Sequence, residues 1–227
     1  MPQNKRVVTV DGHRITLTSP DKVLYPATGT TKADVLAYYT AIVDVLIPHI
    51  AHRPATRKRW VNGVGTVNEP GEAFFQKNLD KSTPLWVKRH PIQHKTHINE
   101  YPLVNDLATL TWFAQIAALD GTRTSEQVSG VAHELARALQ FDHPDLIVSK
   151  MKKSLRVGKV FIDWSQNQVS KTTVTPYSLR GRLRPIVASP RTWEELASRD
   201  LAQLEYEQAL QRFAKQPDPL AVLLSGQ

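Results

Sequence analysis

The stretch Lys159–Asn167, KVFIDWSQN, sets one carboxylate, Asp163, inside an apolar run. The alternation predicts a short β-strand with Val160, Ile162 and Trp164 on one face and Lys159, Phe161 and Asp163 on the other. An ionised carboxylate on a sheet face must be paired, hydrogen-bonded or bound to a metal. The residues leave two readings open: a salt bridge to Lys159 or a nearby arginine, or a ligand to a hard divalent cation that acts on phosphates. Two-metal phosphoryl transfer needs ions about 3.5–4 Å apart, bridged and flanked by several carboxylates. One aspartate cannot hold two ions, and the sequence contains no Asp-x-Asp to join it. Asp142-His-Pro-Asp145 has the wrong spacing and reads as a turn.

Basic residues gather on either side of this stretch. Lys150, Lys152, Lys153, Arg156 and Lys159 lie upstream or at its start, and Lys171, Arg180, Arg182 and Arg184 downstream. A guanidinium fork suits phosphate oxygens, although a charge run is also what a solvated face looks like. A second basic set lies nearer the N-terminus: Lys22, Lys32 and Arg57-Lys58-Arg59, accompanied by Trp60 and the pair Phe74-Phe75. Aromatics beside cations make a stacking platform for nucleobases. The alternative is that the Phe pair staples a loop to the core, but two adjacent residues of a strand cannot both face inward. His90, His94 and His97 fit neither a helix face nor a zinc-protease pattern and read as surface histidines. No Gly-rich phosphate loop or nucleophile elbow is present.

These groups must be positioned by a chain of 227 residues, 41% hydrophobic, with a net charge of +8 and a pI near 9.7. Such a balance points to a polyanionic partner, most simply nucleic acid. The absence of cysteine excludes disulfide frameworks and thiolate zinc sites. The opening MPQNKRVVTVDGHR lacks the apolar core of a signal peptide, and no run approaches the roughly 18 apolar residues of a membrane helix. A cytoplasmic, nucleoid-associated protein is expected.

Residues 6–18 read as a hairpin around Asp11-Gly12. A helix should start near Thr31, capped by Thr31 with Asp34, carry Val35, Tyr39, Ile42, Val43 and Leu46 on its apolar stripe, and end at Pro48. Residues 53–79 read as irregular and 95–104 as a strand. Asn105 or Asp106 should cap a second helix running through Leu107 to Leu119. A short connection, Asp120–Arg123, then leads to a third helix, capped by Thr124 with Gln127, with Val128, Val131, Leu135 and Leu139 on one face. Leu146–Val148 and Lys159–Trp164 read as strands, and two helical segments, from Thr192 and around Leu204–Lys215, close the chain. The mixture is α+β, read as one domain over 1–227 with an N-terminal part of about 1–119 and a second part of about 120–227.

LTSPDKVLYPATGTTKADVLAYY, RPATRKRW, AFFQKNL, TWFAQIAAL, KMKKSLRVGKVFIDWSQN, KTTVTPYSLRGR and PRTWEEL together resemble the polymerase domain of bacterial DNA ligase D. That domain belongs to the archaeo-eukaryotic primase superfamily and serves non-homologous end joining; actinobacterial and mycobacterial members are the most similar. The resemblance implies a primase-polymerase-like fold, a mixed or antiparallel sheet with flanking helices. It implies Mn²⁺- or Mg²⁺-dependent, template-directed transfer of NTP or dNTP at 5′-phosphorylated DNA ends or gaps, with Ku and an ATP-dependent DNA ligase as further partners. Residue by residue, Lys22 and Lys32 match lysines that grip the 5′-phosphate, and Lys58, Phe74 and Phe75 match positions on the template side. Asp163 matches a catalytic, metal-binding carboxylate. Arg156, Gln166, Lys171 and Arg180 match the nucleotide and primer side. The family also carries, between the TWFAQIAAL and Thr124 segments, a palm segment with an Asp-x-Asp strand and a Ser-x-His-type turn. Here Leu119-Asp120-Gly121 crosses that interval directly, so the central palm strands and two of the three catalytic motifs are missing. The alternatives to the family activity are a non-catalytic DNA-end-binding module and a degenerate remnant.

Overall fold

The computed structural model describes residues 4–94, 96–115, 118–121, 126–167, 171 and 173–224. The chain forms two compact units, residues 1–121 with 174–227, and residues 122–173.

The first unit opens with β1 (Lys5–Val10) and β2 (His13–Thr18), an antiparallel hairpin in register from Lys5↔Thr18 to Val10↔His13. Asp11 and Gly12 both take positive φ, +49° and +78°, as a tight two-residue turn between right-twisted strands requires. The small pair β3 (Val23–Tyr25) and β4 (Thr30–Thr31) leads into α1 (Lys32–Ala41). Its capping box is the expected one. The Thr31 Oγ1 accepts from the Asp34 amide at 3.2 Å, and the Asp34 carboxylate accepts from the Thr31 amide at 2.8 Å.

The helix does not run straight to Pro48. It breaks at Ile42, bends by 80°, and resumes as α2 (Val43–Ile50), with Pro48 inside it. A proline interrupts one backbone bond but does not oblige a helix to stop while tertiary packing holds the flanking turns. The bend brings Tyr38, Tyr39, Ile42 and Leu46, each no more than 1% exposed, into one core. Truncating Leu46 to alanine there would cost about 2–5 kcal/mol.

Residues 53–79, expected to be irregular, contain two strands, β5 (Ala55–Arg59) and β6 (Phe74–Gln76), paired antiparallel. Their polar sequence, ATRKR, hides the strand period, because Thr56 and Arg57 are buried where apolar residues would normally signal an inward face. β7 (Arg89–Gln93) and β8 (Ile98–Pro102) form a second hairpin. α3 (Leu107–Ala114) is capped by Asp106, which accepts from the Thr109 amide at 2.7 Å, and by Asp11, which accepts from the Ala108 amide at 3.1 Å. This helix ends at Ala114, not Leu119. Ala118–Gly121 is a strand, β9, antiparallel to β5 from Ala55↔Gly121 to Lys58↔Ala118. Helical propensity in the alanine-rich run gives way to a free edge of β5 that needs a partner.

In the second unit, α4 (Glu126–Asp142) packs on β10 (Ile147–Val148) and on the turn 164–167. β10 pairs in parallel with β11 (Val160–Phe161). Thr124, the expected cap of this helix, lies outside the described residues. The strand predicted to reach Trp164 covers only Val160–Phe161, and a 3₁₀ turn, Trp164–Asn167, follows. The Trp164 indole N–H donates to the Ser149 carbonyl at 3.1 Å, and His133 stacks on its ring at 3.8 Å. Much of the apolar face of α4 is open, with Val131 and Leu135 exposed.

The chain returns through β12 (Thr173–Val174), completing the sheet order β12-β9-β5-β6. α5 (Trp193–Ala197) and α6 (Tyr206–Phe213) finish the first unit. Here Tyr38 donates to the Tyr177 carbonyl at 2.6 Å, and the buried His49 meets Asp218 at 2.7 Å, tying the C-terminal segment to α1 and α2. Among the described residues no single helix is long and apolar enough to cross a membrane.

Candidate functional site

The end of β2, the turn into β3, the first turn of α1 and the end of β5 enclose a pocket of about 280 Å³ in the first unit. Lys22, Lys32 and Arg59 line it, and among the described residues no carboxylate does. The Lys22 ammonium donates to the Val61 carbonyl at 2.6 Å, and Lys32 donates to the Thr18 carbonyl at 2.6 Å and to its hydroxyl at 3.1 Å. The loop over Lys22 reaches this close because residue 63 is glycine. Gly63 has φ +85°, and a Cβ there would lie 2.8 Å from the Leu24 carbonyl oxygen. That approach lets the Val64 amide donate to Leu24 at 2.8 Å.

Burial, with smaller contributions from Lys22 and Arg59, lowers the Lys32 ammonium from 10.5 to about 8. Three cations are thus held together against desolvation and mutual repulsion. A multiply charged anion relieves both, which is what a terminal phosphate supplies.

Beside the pocket, the β5–β6 register sets Lys58 opposite Phe75 and Arg59 opposite Phe74. Alternation sends the two pairs to opposite faces. Lys58 lies 5.4 Å from the Phe75 ring and 5.0 Å from Trp60, and Arg59 lies 5.2 Å from Phe74. Both phenylalanines are exposed, 44% and 47%, so neither staples a loop to the core. Trp60 in turn packs against Gly181, where a Cβ would sit 2.0 Å from the indole. Behind this face Arg57 is 2% exposed, 4.8 Å from the Trp112 ring, with no hydrogen-bond partner on Nη1. Burial lowers its guanidinium to about 10; Arg59 adds to the fall, and Asp80 opposes it.

In the second unit Asp163 lies just beyond β11, at the start of the 3₁₀ turn. It is therefore not strand-borne, and Lys159 is not its partner. Ser165 donates to one carboxylate oxygen at 2.6 Å and Gln166 to the other at 2.9 Å. The Ser165 bond is the main cause of its lowered pKa, with Gln166 and the charge of Lys171 adding to it. The Arg156 guanidinium lies 3.6 Å over the Phe161 ring and donates to the Met151 carbonyl, while Lys159 reaches the Pro144 carbonyl. Asp163, Gln166 and Lys171 are thus brought together, with Arg156 in the same unit. Arg180 belongs to the first unit, where its carbonyl accepts from the Tyr25 hydroxyl at 3.1 Å.

The donor set around Asp163 does not fit a two-ion centre. Each carboxylate oxygen already accepts a hydrogen bond, and among the described residues no group of three His, Asp or Glu side chains could hold an ion. Hard divalent ions take six or more oxygen ligands, and a pair of them needs bridging and flanking carboxylates. The residues of the cationic pocket that sequence reasoning did not single out are Arg59 as a lining group and Gln76, which holds it. The period-2 alternation of Arg57-Lys58-Arg59 carried that information only once β5 was known to be a strand.

Fold and site define a class of protein: an α+β domain presenting a carboxylate-free cationic pocket beside a strand pair that interleaves cations with exposed aromatics. Residues 31–122 and 116–220 match the family described as LigD, primase-polymerase domain. The multifunctional non-homologous end joining protein LigD of Mycolicibacterium smegmatis is 39% identical over 279 residues, covering 92% of this chain and 36% of that protein. The corresponding DNA repair protein LigD of Mycobacterium tuberculosis is 38% identical over 282 residues, covering 91% and 36%. The polymerase domain of M. tuberculosis ligase D, solved in complex with DNA, superposes with a TM-score of 0.85 at 36% identity, covering 93% of this chain and 98% of that one. The chain belongs to the LigD primase-polymerase domain family. It spans about a third of the length of these curated relatives.

Proposed function

We propose that this domain acts in non-homologous end joining by engaging DNA ends or gaps that carry a 5′-phosphate. The observation that carries the reading is the pocket in which Lys22, Lys32 and Arg59 converge with no carboxylate. The phosphate enters there, and Lys58, Phe74 and Phe75 meet the template strand, stacking on bases and neutralising backbone charge. The solved relative's complex with DNA supports the same polarity of partner. Ku and an ATP-dependent ligase supply the remaining steps of joining.

The family's Mn²⁺- or Mg²⁺-dependent nucleotidyl transfer with NTP or dNTP is impaired in this chain. Asp163 is the surviving metal carboxylate, and Arg156, Gln166, Lys171 and Arg180 are the surviving nucleotide-side residues. Two facts support this. The family match comes in two segments that meet at residues 116–122. The alignment to the M. smegmatis relative also runs over 279 positions although this chain has 227 residues, so that relative carries a stretch with no counterpart here. The palm strand bearing Asp-x-Asp belongs to that stretch, and without it the charge stabilisation on which phosphoryl transfer depends is lost.

Equilibrium binding to a gapped duplex with a 5′-phosphate or a 5′-hydroxyl tests the first part. Tighter binding to the phosphate, lost in Lys22→Ala/Lys32→Ala, is the expected result, and equal affinity for both ends refutes it. A gap-filling assay with ribonucleotides and Mn²⁺ tests the second. No incorporation is expected; robust incorporation abolished by Asp163→Ala would show that the site is intact.

A further inference from the structure

Arg59 reaches the cationic pocket from the end of β5, and two residues of β6 hold it there. Phe74 lies beneath its guanidinium at 5.2 Å, and its Nη1 donates to the Gln76 side-chain carbonyl at 2.9 Å. The Gln76 amide nitrogen in turn donates to Asp80 at 3.3 Å. This orientation of the amide is fixed by its neighbours, since the reverse would set a donor against the guanidinium and an acceptor against the carboxylate. Asp80 is anchored by Ser82, whose hydroxyl and amide both donate to its other oxygen. Among the described residues Arg59 therefore has no directly bonded carboxylate. Its counter-charge stands one amide away, so the guanidinium is oriented without being neutralised. A direct Asp or Glu partner would cancel the positive charge that an incoming anion needs.

We infer that Gln76 and Asp80 are positioning residues that present Arg59, through an uncharged amide, as the third cation of the anion pocket and so set its preference for a terminal phosphate. The inference rests on the proposed 5′-phosphate reading of that pocket. The other titratable groups lining the pocket around Lys32 are Lys22, Arg59 and the phenols Tyr25 and Tyr39. The charge of Arg59 helps to keep the Lys32 ammonium near 8, so displacing Arg59 must raise the pH at which Lys32 loses its proton.

The experiment measures, on the full chain, the dissociation constants for a gapped duplex bearing a 5′-phosphate or a 5′-hydroxyl, from about pH 6.5 to 9.5. The proteins compared are the parent, Gln76→Met, Asp80→Asn and Lys22→Ala. Gln76→Met keeps the side-chain length and removes both hydrogen bonds. It should lower the phosphate-to-hydroxyl affinity ratio about three- to tenfold and shift the alkaline midpoint of phosphate binding upward. Asp80→Asn has a single carbonyl oxygen for the Gln76 amide and the two Ser82 donors, so it should lower the ratio in the same direction by a smaller factor, about two- to threefold. A merely structural loss in Gln76→Met would not move the midpoint. If Gln76→Met leaves both ratio and midpoint unchanged while Lys22→Ala abolishes the preference, the positioning role is overturned and the phosphate pocket stands. If the parent shows no phosphate preference at all, both readings fall together.

Discussion

Lys32→Met replaces a buried ammonium, held charged against desolvation and two neighbouring cations, with an uncharged side chain of similar length. Lys32 has an ordinary value of 10.5 in the unfolded chain and about 8 in the folded one. Below pH 8 both states carry the proton, and the whole penalty of burying the charge is present. Between pH 8 and 10.5 the folded state sheds its proton first, so that stability rises with pH, and above 10.5 the penalty is gone. After allowance for the partial exposure of the ammonium, that fall corresponds to about 2–3 kcal/mol. Methionine forfeits the two bonds to Thr18, which return about 1–2 kcal/mol of that. The variant should therefore be more stable than its parent by about 1 kcal/mol at pH 7, and the difference should vanish or reverse near pH 10. Urea unfolding at the two pH values measures it. In the same variant the preference for a 5′-phosphorylated end should fall by about tenfold or more, since a charge-assisted bond to phosphate is gone. A variant less stable than the parent at pH 7, or a stability difference that does not change with pH, would refute the electrostatic account of the pocket.

Three further outcomes follow from other contacts. Glu195 caps α5 and accepts two bonds from Arg212 at 2.9 Å, the chief reason its carboxyl falls to about 2. Its depressed value makes this stabilisation complete above about pH 4.5 and lost as the pH falls toward 2, and Glu195→Gln should cost about 1–2 kcal/mol at pH 7 after allowance for partial exposure, read by thermal unfolding. Gly181→Ala places a Cβ 2.0 Å from the Trp60 ring; the indole must move, with a loss of about 1–3 kcal/mol and a changed tryptophan emission. Lys58→Ala should weaken DNA binding without altering the 5′-phosphate preference and reduce the slope of log affinity against log salt by about 1.

Sequence legibility followed the strength of local signals. The Asp11-Gly12 turn, the Thr31–Asp34 capping box and the helix start at Thr192 are short-range devices, each sitting where its residues say; of the two candidate caps of α3, the structure uses Asp106 rather than Asn105. The misplaced boundaries all lie where long-range packing overrides propensity. Ala118 and Leu119 read as the end of a helix and Asp120–Gly121 as a connection, yet Ala118–Gly121 pairs with β5; Pro48 stays inside a helix, and β5 itself is too polar to show a strand period. At the site, Lys22, Lys32, Lys58 and the Phe pair could be named from composition and resemblance. Arg59 could be named only as part of a basic run and Gln76 not at all, because their roles depend on which strand faces which.

By itself the sequence determined the family, the basic partner-seeking character of the chain, and the lone status of Asp163, since the absence of an Asp-x-Asp is a fact of covalent order. Tertiary structure alone decided that Arg59 joins Lys22 and Lys32 in one pocket, and that both phenylalanines face solvent over separate cations. It also decided that the Asp163 carboxylate is engaged by Ser165 and Gln166 in a turn rather than carried on a strand. The physical reason is range. Caps, turns and motifs are settled by neighbours in sequence, whereas the electrostatics of a site depend on which charges folding brings within a few ångströms and how much water it removes from them.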